Sequence, residues 1–427
     1  MIRGDGLKVM VAGGGIGGLT TALSLHAAGV EVEVIEGAGR LLPLGVGINL
    51  QPHAVRELTE LGLGDALARI AVPAAEMAHF DRHGNLIWAE PRGTAAGYLW
   101  PQYSVHRGEL QMLLAEAVRE RLGSGALRLG TRVTGFEQHE DGVEVSLGGD
   151  AGVLRADVLV GADGLHSTVR ALLHPDGPPL RWNGVRMWRG LTLADPFLTG
   201  ATVAVAGSNA AAKFVAYPVS PVAGADGRVP VNWVAEAKVS DVGAAGEGLG
   251  TVPDWTRGGS LDDALPHFEG WVFPWLDVPA LMASTETVLE YPMVDRDPLP
   301  SWTSGRVTLL GDAAHPMYPV GSNGGSQAII DARVLAHELA TTGDPGKALL
   351  SYESLRREAT SSIVLACREM PADRLLQTVA TRAPDGFTAI ETVLSAEELA
   401  EITSAYTRTT GADTLTLNER RSWTPAR

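Results

Sequence analysis

A single cysteine, Cys367, in 427 residues removes any intrachain disulfide and any multi-cysteine metal or iron–sulfur centre. Long apolar runs are missing too. No stretch approaches the roughly eighteen consecutive apolar residues of a membrane span. The opening "MIRGDGLKVMVAGGG" reaches glycines before a signal-peptide core can form, so a cytoplasmic protein with no membrane partner is expected. Positive charge is scarce: 34 Lys and Arg stand against 50 Asp and Glu, a formal net charge of -16. That balance counts against nucleic acid or anionic lipid as a broad-surface partner, although it leaves the sign inside a cavity open. Histidines and carboxylates are scattered without ligand spacing, so no metal site is expected.

What is present is an ordinary globular mixture, 45% hydrophobic and 20% charged, long enough for two or three domains. "LKVMVAGGGIGGLTTALSLHAAGVEVEVIEG" reads as strand, glycine turn, helix and half-buried strand. Met77 to Glu90 read as a hairpin turning at "HGN", and Glu109 to Leu122 carry helical spacing. Two strands flank Asp141-Gly142, and "ADVLVGADG" is a buried strand ending in a turn. From about Arg181 to Glu290, short strand-like pieces alternate with Gly/Pro/Ala-rich loops, and six of the ten tryptophans fall here. These rings are expected chiefly in core packing.

The expected fold is therefore α/β: a Rossmann-like nucleotide-binding domain with an inserted, mainly antiparallel β domain and a helical C-terminal tail. The first would comprise 1–72, 105–180 and 290–345. The second would comprise 73–104 and 181–289, and the tail 346–427. Residues 240–255 read as a surface loop; the glycines at 243–250 lack a preceding strand and are rejected as a second nucleotide site.

Three motifs carry chemistry. Gly13-x-Gly15-x-x-Gly18, with Ile16 and Gly17 inside it, follows a strand and opens a helix. That order allows a tight turn, close backbone approach to a pyrophosphate, and a helix N-terminus facing the phosphates. Glu36 ends the next strand, where a carboxylate takes ribose hydroxyls. The pattern alone does not separate NAD from FAD. Asp163-Gly164 follows a later strand, with Ser167 and Arg170 beyond; a plain turn capping a helix reads equally well. Finally, "LLGDAAHPMYPVGSNGGSQAIIDA" puts Asp312 at a strand end, prolines after it, and glycines at the start of a helix. Asp312 suits a chain of hydroxyls, Gly321, Gly324 and Gly325 leave room for a flat ring, and the helix start favours negative charge on that ring.

These motifs, in this order, resemble those of single-component FAD-dependent aromatic hydroxylases with the para-hydroxybenzoate hydroxylase fold. The resemblance runs from about Lys8 to Leu339 and, through "EYPMVDRDPLPSW" and the Asp312 stretch, leans toward phenazine-type hydroxylases. It implies that Gly13, Gly15 and Gly18 hold the FAD pyrophosphate, and Glu36 and Arg40 the adenosine half. Val46 and Gly47 would belong to the loop beside which the flavin moves, while Arg107 would reach the cofactor from a helix. Val133 would touch adenine, and Asp163 would serve both FAD and the nicotinamide. Asp312 would bind the ribityl chain, with Pro319, Gly321, Asn323, Gly324 and Gly325 flooring the ring. Salicylate-type relatives carry His-Gln-Gly where this chain has Val320-Gly321-Ser322, a departure that counts against a side-chain base there.

The implied activity uses non-covalent FAD, NADH or NADPH, and dioxygen to hydroxylate an aromatic, polycyclic or phenazine-like small molecule through a flavin hydroperoxide. Pro319, Tyr217 and His315 are the candidates for acting on substrate. Burial explains Tyr217 about as well, and packing at a helix start suits His315. A monomer or homodimer is expected. The competing readings are a flavin reductase or dehydrogenase on the same scaffold, and a non-catalytic flavin-binding sensor.

Overall fold

The architecture comes from a computed structural model, which describes residues 6–43, 45–240, 257–401 and 414–425. The stretch read as a surface loop, 240–255, lies outside these except for Ser240, as do the rejected glycines. No helix among the described residues is long and apolar enough to cross a membrane.

A five-stranded sheet organises the first half of the molecule. Its order is Val307–Leu309, Val158–Gly161, Lys8–Ala12, Glu31–Ile35 and Leu127–Arg128, every pair parallel. The central Lys8–Ala12 and Val158–Gly161 are mostly apolar because helices and an antiparallel layer of Val133–His139, Gly142–Leu147 and Val153–Ala156 cover the sheet. Ile16–Ala27 and Gly324–Thr341 pack on it, and the first of these is buried along most of its length. Each sequence motif lies at the carboxyl end of one of four adjacent strands. That edge is where ligands bind in open parallel sheets.

The second sheet has seven strands, in the order Val288–Arg296, Leu180–Ala194, Val229–Lys238, Ala212–Pro218, Thr202–Gly207, Glu76–Phe80 and Leu86–Pro91. All its pairs are antiparallel except Thr202–Gly207 with Glu76–Phe80. The hairpin read at Met77 to Glu90 forms its outer edge. Its inner end reaches Arg296, beyond the residue 289 boundary drawn from sequence. Alternation sorts its side chains. On Ala212–Pro218, Phe214 and Ala216 join a core with Trp188, Trp233, Phe268 and Trp271, while Lys213, Val215 and Tyr217 line a cavity on the opposite face. No tryptophan among the described residues lines that cavity.

The tail opens with Pro345–Glu369, on which Cys367 is buried, and continues with Pro371–Arg382. Leu375, Leu376 and Val379 of the second helix pack on Met77, Val203 and Val205. The chain end returns to the first domain, where Arg56 donates to the carbonyls of Leu417 (2.6 Å) and Arg420 (2.5 Å).

Candidate active site

The three motifs touch because their strands are neighbours. Gly13 has φ of +108°, and a Cβ there would lie 2.3 Å from the Ala162 carbonyl oxygen in the Asp163 turn. A Cβ on Gly17 would lie 2.8 Å from Leu310 beside Asp312, and one on Gly18 only 1.9 Å from the Gly13 oxygen. These glycines serve close packing. Gly15 differs: a Cβ there would meet nothing within 4 Å. Gly324 and Gly325 likewise have a nearest neighbour at 3.9 Å. All three border one cavity of about 370 Å³. Intramolecular packing does not require glycine at these positions, whereas a ligand filling the space does.

Two helix N-termini also open on this cavity. Neither Ile16–Ala27 nor Gly324–Thr341 has a side-chain cap, so the N–H groups and positive dipole ends remain for a ligand. Consecutive left-handed residues, Gly321 (φ 70°) and Ser322 (φ 58°), swing the chain into the second helix. The donor set suits an anionic dinucleotide with a flat, electron-accepting ring.

The cavity wall gathers Gly15, Ile16, Gly17, Arg107, Tyr217, Asp312, Pro319, Gly321, Asn323, Gly324 and Gly325 from the residues singled out in the sequence. Arg107 and Asp312 are accessible through the cavity but enclosed by protein elsewhere. Enclosure pushes the Asp312 carboxyl above its ordinary pKa, opposed by His315, Arg107 and Arg170. The same loss of water lowers the Arg107 value, opposed by Asp312. Arg170 ties the middle motif to the third, donating to the carbonyls of Leu165 (2.5 Å), Ala313 (3.3 Å) and Asp312 (3.4 Å).

The other candidates stand behind or beside this wall. Glu36 accepts the Gly14 N–H at 2.6 Å and the Ala38 N–H at 2.7 Å, leaving further lone pairs for hydroxyls. Arg40 is exposed, and Val133 is buried at the start of Val133–His139. Val46 positions Arg107 by accepting its N–H at 3.0 Å. Gly47 seats its loop against the large sheet, donating to Asn232 (2.7 Å) and accepting from Arg189 (2.8 Å).

Asp163 makes the helix cap that the sequence left as an alternative. It accepts from the Ser167 hydroxyl and from the N–H groups of Thr168 (2.7 Å) and Val169 (3.2 Å), while its neighbours Ala162 and Gly164 line the cavity. Asp163→Ala is expected to cost about 1 kcal/mol, read as a lower melting temperature of the FAD-free protein. An unchanged melting temperature with weakened FAD retention would assign the carboxylate to the cofactor instead.

His315 departs from its expected contact with substrate. Its Nε2 pairs with Asp331 at 2.6 Å, its ring packs on Trp302, and it is absent from the cavity wall. A buried partner has claimed the ring, and the packing alternative describes it. Tyr217, by contrast, lines the cavity. Burial raises its pKa, and Arg189, Asn232 and Asn49 hydrogen-bond its hydroxyl, so the phenol is neutral and fixed.

Sequence reasoning missed several wall residues. Lys213 and Val215 share the face of Tyr217 by the period-two rule and were within reach of it. Arg189, Glu236 and Val234 needed the strand register. Ala372, Asp373 and Leu376 come from the tail, beyond the stretch that carries the family resemblance.

The FAD binding domain family matches residues 6–181 and 286–366. A phenazine 1,6-dicarboxylic acid hydroxylase from Lysobacter antibioticus is 49% identical, covering 93% of this chain and 96% of its own. A 3-hydroxybenzoate 6-hydroxylase from Aquipseudomonas alcaligenes is 33% identical, over 83% and 86%. Among solved structures, Klebsiella pneumoniae HpxO with FAD and uric acid aligns with a TM-score of 0.71 at 26% identity, covering 97% of this chain and 93% of that one. Cavity, uncapped helices and relatives agree: the chain belongs to the FAD binding domain family and is an FAD-dependent aromatic hydroxylase.

Proposed function

We propose that the protein hydroxylates a tricyclic phenazine carboxylic acid. The observation that carries this reading is the floor of the cavity. Val234, Val215 and Val205 lie in register across three strands, giving a flat aliphatic strip. Polar groups bound it at both ends: Tyr217 and Arg189 on one side, Lys213 and Glu236 on the other. Lys213 and Tyr217 are four residues apart on one strand, about 13 Å at ~3.3 Å per residue. A single benzene ring leaves much of that strip bare, whereas a fused ring system covers it and reaches both ends. The 49% identical relative is named for a phenazine substrate.

FAD, when bound, supplies the oxygen-transfer chemistry. The chain's own residues bind, orient and exclude water. Tyr217 is linked to Asn49, and Arg189 to Gly47, so this end adjoins the loop between the two domains. Arg189 lines the cavity beside Tyr217, where its guanidinium suits a substrate carboxylate. The valines stack on the ring faces and displace solvent.

The test uses FAD-loaded protein with NADH or NADPH and labelled dioxygen. Phenazine-1-carboxylic acid should stimulate reductant consumption and yield product carrying one labelled oxygen. Salicylate and 3-hydroxybenzoate should do so at least about 10-fold less well. Stimulation by the single-ring acids alone, or unlabelled product, would overturn the substrate class.

A further inference from the structure

The polar corner at the far end of the valine floor is built from three buried charges on three elements. Lys213 and Glu236 face each other across paired strands, and Asp373 reaches in from the tail helix Pro371–Arg382. All three are at least nine-tenths buried, and all line the cavity. The Lys213 ammonium lies 3.0 Å from Glu236 Oε2 and 3.2 Å from Asp373 Oδ2. Asp373 also accepts the Asn209 N–H at 2.9 Å.

Fastening the tail helix to the sheet needs one carboxylate, not two. The second leaves the corner with one positive and two negative charges, and buried excess charge is costly without a partner. Other cations among the described residues do not cancel it. Arg92 is engaged by Glu90, and His79, the titratable neighbour on Glu76–Phe80, is held neutral with its pKa lowered to about 3, chiefly by burial. Lys213 cannot act as a base, since its two carboxylates outweigh burial and hold its pKa above the usual lysine value. It is a permanent donor with three N–H groups, of which two carboxylates occupy two.

We propose that Lys213, Glu236 and Asp373 form a specificity site for an uncharged hydroxyl-type group on the distal ring of the substrate. Such a group accepts from the Lys213 ammonium and donates to a carboxylate, completing the hydrogen bonding without adding charge. An ionised carboxylate at this position would put three anions around one cation. It is therefore rejected, while a carboxyl in its protonated form is tolerated. This inference rests on the phenazine reading and adds which substituent the far ring carries.

Dissociation constants for three probes on FAD-loaded protein at pH 8, without reductant, test it through the flavin absorbance change. The probes are phenazine-1-carboxylic acid, 6-hydroxyphenazine-1-carboxylic acid and phenazine-1,6-dicarboxylic acid. The hydroxy acid should bind at least about 10-fold tighter than the diacid, the range of one hydrogen bond to a charged group. Asp373→Asn should tighten diacid binding by about 10-fold and leave phenazine-1-carboxylic acid within about 2-fold. Lys213→Met should abolish the hydroxy-acid preference, and Lys213→Arg should restore part of it. A diacid that binds the parent protein as tightly as the hydroxy acid, or an Asp373→Asn change shared equally by all three probes, overturns the inference alone. Failure of every phenazine to bind overturns both it and the substrate class.

Discussion

Replacing Asp331 with asparagine should destabilise the protein by about 3–5 kcal/mol, the range for breaking a buried charge pair by removing one partner. Asp331 is fully buried on Gly324–Thr341. One oxygen accepts from Arg356 Nε at 2.7 Å; the other accepts from His315 Nε2 at 2.6 Å and the Gly311 N–H at 3.2 Å. Asparagine leaves the Arg356 charge uncompensated and loosens the turn that carries Asp312. Urea unfolding of the FAD-free variant measures the loss, and a loss below about 1 kcal/mol would refute the role. The pH dependence has a definite sign. Burial alone would raise the Asp331 pKa, but His315 and Arg356 outweigh it and hold the carboxyl below its ordinary unfolded-chain value. Its stabilisation is complete above that unfolded value and drains away as pH falls through the folded one. The asparagine variant should lack this part of the acid transition.

The glycine fingerprint yields a second large effect, and a contrast. Gly15→Val should weaken FAD binding by about 5–150-fold, the equivalent of a 1–3 kcal/mol steric penalty. The stability of the FAD-free protein should barely change. Gly15 has φ of -76°, open to any residue, and its missing Cβ faces empty space. Gly18→Ala should do the reverse, because its Cβ would fall 1.9 Å from a backbone oxygen and force helix and turn apart with or without cofactor. Melting curves of both FAD-free variants, beside FAD titrations, separate the two. Equal melting-temperature losses would show that the space beside Gly15 belongs to the protein and not to FAD.

Much of the cofactor side was legible because its signals are local. A strand, a glycine turn and a helix are contiguous from Lys8 to Ala27, and the same order recurs from Val307 to Thr341. Spacing alone therefore pointed to the ends of parallel strands. His315 was misjudged for a matching reason. Its neighbour Asp312 faces the cavity, but its ring's partner, Asp331, lies 16 residues further on in the packed interior, and no local pattern reports that pairing. The substrate side is non-local throughout. Arg189 meets Val234, and Val234 meets Val215, only through strand register. Asp373 reaches Lys213 across 160 residues. Alternation told which residues share a face but not which face looks inward.

The parallel order of the first sheet also has a consequence for synthesis. Lys8–Ala12 and Val307–Leu309 are separated by one strand in space but by most of the chain in time. At ~5–20 residues per second, roughly 15–60 s elapse on the ribosome between the pyrophosphate turn and the strand that delivers Asp312. Nascent chains halted before that strand should therefore emerge colourless, and flavin loading becomes one of the last events in the protein's maturation.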